Sequence, residues 1–129
     1  MAITHSAAVK NGICDYTVDL IDGGTGDNGQ IIFRQAGTEA VATIDFQDPA
    51  FSAASAGELD DGVAEALGVP LEDTNVVGGT ITNFSIHNKD GTSLITGTAN
   101  TTTGDIVLTS ATLANGETLR LTELYYVVP

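Results

Sequence analysis

A reversal at Asn88-Lys89-Asp90-Gly91-Thr92 constrains this chain more than any other stretch. Before it, Thr80-Ile81-Thr82-Asn83-Phe84-Ser85-Ile86 is rich in β-branched and aromatic residues, and after it Ser93-Leu94-Ile95-Thr96-Gly97-Thr98-Ala99 carries the same pattern. Two such segments joined through Asp-Gly predict a β-hairpin, because a turn position with positive φ suits glycine, which has no Cβ to clash. The theme recurs. Thr102-Thr103-Gly104-Asp105 and Asn115-Gly116 mark further turns, so the second half of the chain reads as short strands.

Charge narrows the function classes. Seventeen acidic residues face four basic ones, Lys10, Arg34, Lys89 and Arg120, for a formal net charge of -13. A surface of that sign repels phosphate backbones and anionic headgroups, so neither nucleic acid nor a membrane is expected as a partner. The acids keep the protein soluble or steer it to a basic partner surface. The single cysteine, Cys14, excludes an intrachain disulfide and reads as a small buried apolar residue. The start shows no basic segment leading into an apolar run, and no apolar stretch approaches the ~20 residues that span a bilayer. Synthesis in the cytoplasm as a soluble protein is therefore expected.

At 129 residues the chain is the size of one domain. Residues 6–22 carry a helical period. At about 100° per residue, Val9, Ile13, Tyr16, Thr17 and Leu20 share one face, with Cys14 and Ile21 at its edge, while Asp15, Asp19 and Asp22 gather opposite. The apolar face is expected against the domain and the acids in water. Ser6 is the candidate N-cap and Gly23-Gly24 the stop, although Gly12 inside the helix costs about 1 kcal/mol relative to alanine. Residues 23–29 then read as a flexible glycine loop. Their order does not match a phosphate-binding loop or a spaced acidic calcium loop.

Residues 30–35 and 40–46 read as a strand pair turned by Ala36-Gly37-Thr38, with Ile31 and Phe33, then Ala42, Ile44 and Phe46, on one face and Val41, Thr43 and Asp45 on the other. Phe51 follows as a core plug. Between 51 and 79 the period is ambiguous; a short strand at 63–67 and an acidic loop at 71–75 fit best, within an acidic insertion at 58–79. Residues 105–109 read as a strand and 118–128 as a long final one. Its apolar positions change phase, from Leu119 and Leu121 to Leu124, Tyr126 and Val128, as a β-bulge or a strand crossing between sheets would produce. The expected fold is mainly β with an N-terminal α-helix: residues 1–129 as one domain, with the helix at 6–22 and an antiparallel β-sandwich or small barrel of about seven strands at 30–129.

Few residues carry chemistry. His5 and His87 have no second histidine or cysteine at ligand spacing, so no metal site and no cofactor are expected, and His87 reads as an exposed strand end. No Gly-x-Ser-x-Gly elbow occurs, and Asp60-Asp61 reads as solvated charge. An enzyme is not expected. Phe51, Tyr125, Tyr126 and Val128 are the candidate interface residues, because aromatic and apolar side chains at these places suit a core or a contact surface equally.

The order of motifs resembles that of small virion structural proteins of tailed bacteriophages, of the capsid decoration or cement type. The likeness runs through Ile3-Thr4-His5-Ser6-Ala7-Ala8, the helix end Val18-Asp19-Leu20-Ile21-Asp22-Gly23-Gly24, Val41-Ala42-Thr43-Ile44-Asp45-Phe46 and Asp48-Pro49-Ala50-Phe51. It continues in Gly78-Gly79-Thr80-Ile81-Thr82-Asn83-Phe84-Ser85-Ile86, Asp90-Gly91-Thr92, Gly104-Asp105-Ile106-Val107-Leu108 and the closing strand ending in Pro129. The resemblance implies a homo-oligomer, a trimer among the options, that sits on the outside of the phage head. There it would bind the major capsid protein and hold the shell together without catalysis. A tail or adhesin module of the same virion is the alternative.

Overall fold

A computed structural model of the protein describes residues 3–37 and 39–129. Thr38, expected in the first turn, and the two leading residues lie outside the described set. Helix α1 (Ala7–Asp19) begins where expected, with Ser6 Oγ accepting from the Val9 N–H at 3.3 Å, and tightens into one 3-10 turn (Leu20–Asp22) before Gly23. Eleven short strands follow among the described residues, so the molecule is mainly β with an N-terminal helix.

The largest sheet joins β1 (Gln30–Arg34), β2 (Ala40–Asp45), β6 (Asn83–His87), β7 (Ser93–Asn100) and β8 (Ile106–Val107) in the order β2-β1-β6-β7-β8. Its neighbours are antiparallel except for the two-residue β7·β8 ladder. Alternation works as expected here. Ile31 and Phe33 on β1, Ala42 and Ile44 on β2, and Phe84 and Ile86 on β6 turn to the core. Phe33 lies directly across from Phe84, with ring centroids 6.3 Å apart. Opposite Phe84 on the other side is Gly97, where a Cβ would come within 2.7 Å of the Phe84 ring, so the strand keeps a glycine to admit it.

The remaining strands form three small ladders between distant segments. β3 (Val63–Glu65) pairs with β11 (Tyr125–Val127), β4 (Leu71–Asp73) with β10 (Leu119–Leu121), and β5 (Gly79–Thr80) with β9 (Thr112–Leu113). Segment 58–79 thus supplies β3, β4, the first residue of β5 and the buried Ala64, Ala66, Leu71 and Val76. The expected acidic loop at 71–75 begins as β4: Leu71 fills the core while Glu72 is exposed, an alternation too short to separate from loop by period.

Three more expectations change. Thr80-Ile81 does not continue into β6; it turns aside to pair with β9 and to donate from the Ile81 N–H to the Ala111 carbonyl at 2.7 Å. The long final strand divides into β10 and β11, which join different ladders, so the phase change at 121–124 is a switch between sheets. Val41 is buried rather than facing outward with Thr43, because the β1·β2 register skips it, pairing Phe33 with Ala42 and Arg34 with Ala40. The bulge turns Val41 under the chain at 77–78, whose N–H groups donate to its carbonyl.

Helix α1 packs against β3 and β11, with the opposite face inward from the one expected. Cys14, Val18 and Ile21 are buried, whereas Val9, Ile13, Tyr16 and Leu20 are exposed, Tyr16 at 70%. Side-chain oxygen acceptors on the inward face go with this orientation. Asp15 Oδ1 accepts from the Ala54 N–H at 2.7 Å, Asp22 Oδ1 from the Ala50 N–H at 2.9 Å, and Asn11 Oδ1 from the Gly62 N–H at 2.7 Å. Segment 50–62 has few ladder partners of its own, and the helix satisfies its backbone donors. The glycine loop at 23–29 is likewise pinned. Thr25 N–H donates to Asp90 Oδ1 at 2.9 Å, Lys89 N–H to the Gly23 carbonyl at 3.0 Å, and any side chain at Gly26 would run into the Lys89 carbonyl.

Candidate functional site

The four expected interface residues separate. Phe51 is core: it is 6% exposed, its ring centroid lies 5.5 Å from that of Phe46, and it bridges to Ala66. Tyr126 and Val128 are half-buried and pack against the core. Only Tyr125 stands out, at 43% exposure, and the residue that accompanies it is Val127, at 59%. Strand alternation explains the division, since β11 turns its even positions inward and its odd positions out. The sequence pattern grouped Leu124, Tyr126 and Val128 but did not single out Val127.

Beside β11 lies a groove of about 310 Å³ that separates it from β6, β7 and β8. Ile21, Phe51, Ile86, Ile95, Ile106 and Leu124 form its apolar lining, and the exposed Asp105 and Tyr125 also border it. Glu65, opposite Tyr125 in the β3·β11 register, and Glu123 hold the tyrosine phenol above its ordinary value, the Glu65 carboxylate contributing most, ahead of burial and Glu123. Tyr125 Oη donates to Glu123 Oε2 at 3.2 Å.

A second apolar surface is the outer face of α1. Val9, Ile13, Tyr16 and Leu20 form a stripe along it, with Ile3 exposed just before the helix. Gly12 lies among them, and a Cβ there would meet open space. Nothing inside the fold requires the glycine.

Polar side chains cluster on the outer face of the large sheet. Ser85 Oγ is 2.8 Å from His87 Nε2, and His87 Nδ1 is 2.9 Å from the Gly91 carbonyl. The carbonyl only accepts, so in the neutral ring Nδ1 carries the proton and Nε2 accepts from the Ser85 hydroxyl. His87 is therefore half-buried and engaged at both nitrogens, not the exposed strand end expected, and the i, i+2 spacing on one strand is the signal that could have paired it with Ser85. This resembles the start of a nucleophile relay, but Ser85 is 6% exposed and sits on a strand paired on both sides. Ser85 pairs with Ile32 on one side and Thr96 on the other, and Arg34 Nε donates to its Oγ from 3.4 Å. The geometry fastens the hairpin turn.

The charged groups around the glycine loop also serve the fold. Lys89 Nζ pairs with Asp48 Oδ2 at 2.6 Å, and this hydrogen bond is the main cause that raises the lysine pKa. Asp22 is pushed up by burial, against the opposing effect of the Ala50 N–H. Cys14 is fully buried, and burial raises its thiol pKa, with the Asp15 charge adding to the shift. Asp60 and Asp61 are exposed, as expected. Comparison with known proteins finds no matching family model, no similar curated protein and no similar solved structure.

Proposed function

We propose that this chain is a non-enzymatic structural protein of a tailed-phage virion, acting as a head decoration protein that binds the outside of the major capsid lattice and stabilises it. The observation that carries this reading is the surface: two apolar patches, on α1 and on β11, stand exposed on a domain of net charge -13. Large exposed apolar side chains grouped on an otherwise charged domain are the ordinary mark of contact with other proteins. The acidic field supports a basic partner surface and disfavours the packaged genome. The motif order set out above points the same way. A homo-oligomer on the shell would multiply weak contacts into a stable layer, since the second attachment of a tethered unit is effectively intramolecular.

The test is quantitative mass spectrometry of purified virions and of separated heads and tails. A copy number in heads close to that of the major capsid protein is the expected result. Recovery only from tails, at low number, would favour a tail or adhesin module, and absence from particles would overturn the virion reading. Where the acids carry attachment, release from the shell rises with salt.

A further inference from the structure

We infer that the outer edge of β11 is a strand-addition site for an extended segment of another protein, one that alternates apolar residues with lysine or arginine. This goes beyond the head-decoration reading and does not depend on it, because the edge would take the same segment wherever the protein resides.

The backbone sets the site. Ala66 N–H donates to the Leu124 carbonyl at 2.8 Å and Val128 N–H to the Gly62 carbonyl at 3.0 Å, so positions 124, 126 and 128 bond to β3. Antiparallel alternation then turns the N–H and C=O groups of Tyr125 and Val127 to the opposite edge, where no strand pairs with them among the described residues. The far edge of the same ladder is closed. Ser52 N–H donates to the Glu65 carbonyl and Ser55 N–H to the Val63 carbonyl, each at 2.8 Å, and Ser52 Oγ accepts from the Glu65 N–H. One edge is sealed by its own loop and the other is left as a template.

The surroundings specify the occupant. Side chains of an added strand fall in step with those of β11. Those beside Leu124 and Tyr126 enter the apolar groove, which calls for valine, isoleucine or leucine at every second position. Those beside Tyr125 and Val127 stand on the face that carries Glu65 and Glu123, which calls for cations between them. Asp105 adds a third carboxylate at the groove. The same charges argue against a second copy, because two β11 edges brought together would set Glu65 and Glu123 against their counterparts on chains that each carry a net charge of -13.

The test uses the full chain and a short fluorescent peptide alternating valine and lysine, with a valine–glutamate peptide and a valine–lysine peptide N-methylated along its pairing edge as controls. The valine–lysine peptide is expected to bind and to slow amide exchange at Tyr125 and Val127, while both controls fail. Val127→Pro removes an outward N–H without touching the β3 ladder. It is expected to weaken binding by about tenfold or more with little change in Tm. Equal binding by the N-methylated peptide, or exchange protection elsewhere in the molecule, would overturn the site without needing any variant. No measurable binding of the valine–lysine peptide would overturn it too. Self-association that Val127→Pro abolishes would assign the edge to a second copy instead.

Discussion

The large sheet and the part of the molecule built on helix α1 are held together in different ways. β1, β2, β6 and β7 pair through backbone ladders of five residue pairs each, two of them closed by local turns and the third joining β1 to the distant β6. The other region joins α1, segment 50–76 and the last strands through ladders of three residues, and side chains supply what the backbone does not. Asp15, Asp22 and Asn11 on or after the helix accept from loop N–H groups, and Asp73 Oδ2 accepts from the Thr43 N–H at 2.9 Å to tie β4 to β2. A ladder tolerates exchange of most side chains because the bonds belong to the backbone. A region fastened by particular carboxylates does not, and its stability depends on a few named residues.

The largest effect is expected in the sheet. Phe33→Ala removes a fully buried ring from the cross-strand pair with Phe84 and should lower unfolding free energy by about 3–5 kcal/mol in denaturant titration. Gly26→Ala drives a methyl into the backbone of the hairpin turn and is expected to cost about 1–3 kcal/mol, although the position is exposed. A neutral result there would mean that the glycine loop moves independently of the sheet. Asp15→Ala leaves the Ala54 N–H without its acceptor and should cost about 1–2 kcal/mol, with faster amide exchange confined to segment 50–66 and β11. If exchange rose equally in β1 and β6, the two regions would be one cooperative unit and the comparison would fail.

Asp22→Asn sharpens the contrast through pH. The folded-state pKa of Asp22 is raised, so the stability linked to its protonated form is complete below the ordinary 3.8 and is lost as pH rises through the higher folded value. Asparagine keeps an oxygen for the Ala50 N–H without the charge. The variant should therefore be more stable than the parent at neutral pH, by less than about 1 kcal/mol, and thermal melts should show the gap closing as pH falls through the raised folded value and gone below the ordinary 3.8. The smallest effect is expected at Tyr16→Ser, within about 0.5 kcal/mol, because Tyr16 is 70% exposed on the outer face of α1. A larger loss would restore the helix orientation that hydrophobic periodicity alone implies.

That orientation shows where sequence reasoning stops. The hairpin, the β1–β2 pair and both ends of the helix were legible because each rests on a local rule: alternation, a turn glycine, a serine cap. Which face of α1 turns inward was not, because it goes with the backbone donors of Ala50, Ala54 and Gly62, residues remote in sequence that need oxygen acceptors. An aspartate in water and an aspartate closing a loop look the same in a periodicity plot. The phase change after Leu121 was visible, yet the two partners that divide the strand, β4 and β3, lie some fifty to sixty residues earlier, so the switch could be noticed but not placed. Of the candidate interface, the sequence offered Tyr125 and missed Val127. Position relative to the ladder, which only pairing defines, separates them from Tyr126 and Val128.

Cys14 gives this arrangement a kinetic reading. It is the only cysteine, it has no exposed surface, and its thiol is held protonated by the burial that docks the helix. A thiol reagent can reach it only when α1 lifts away from β3 and β11, so the rate of labelling counts how often the helix undocks. The protein carries its own reporter of that opening, and a partner that clamps the helix in place would slow the reaction even without touching the sulfur.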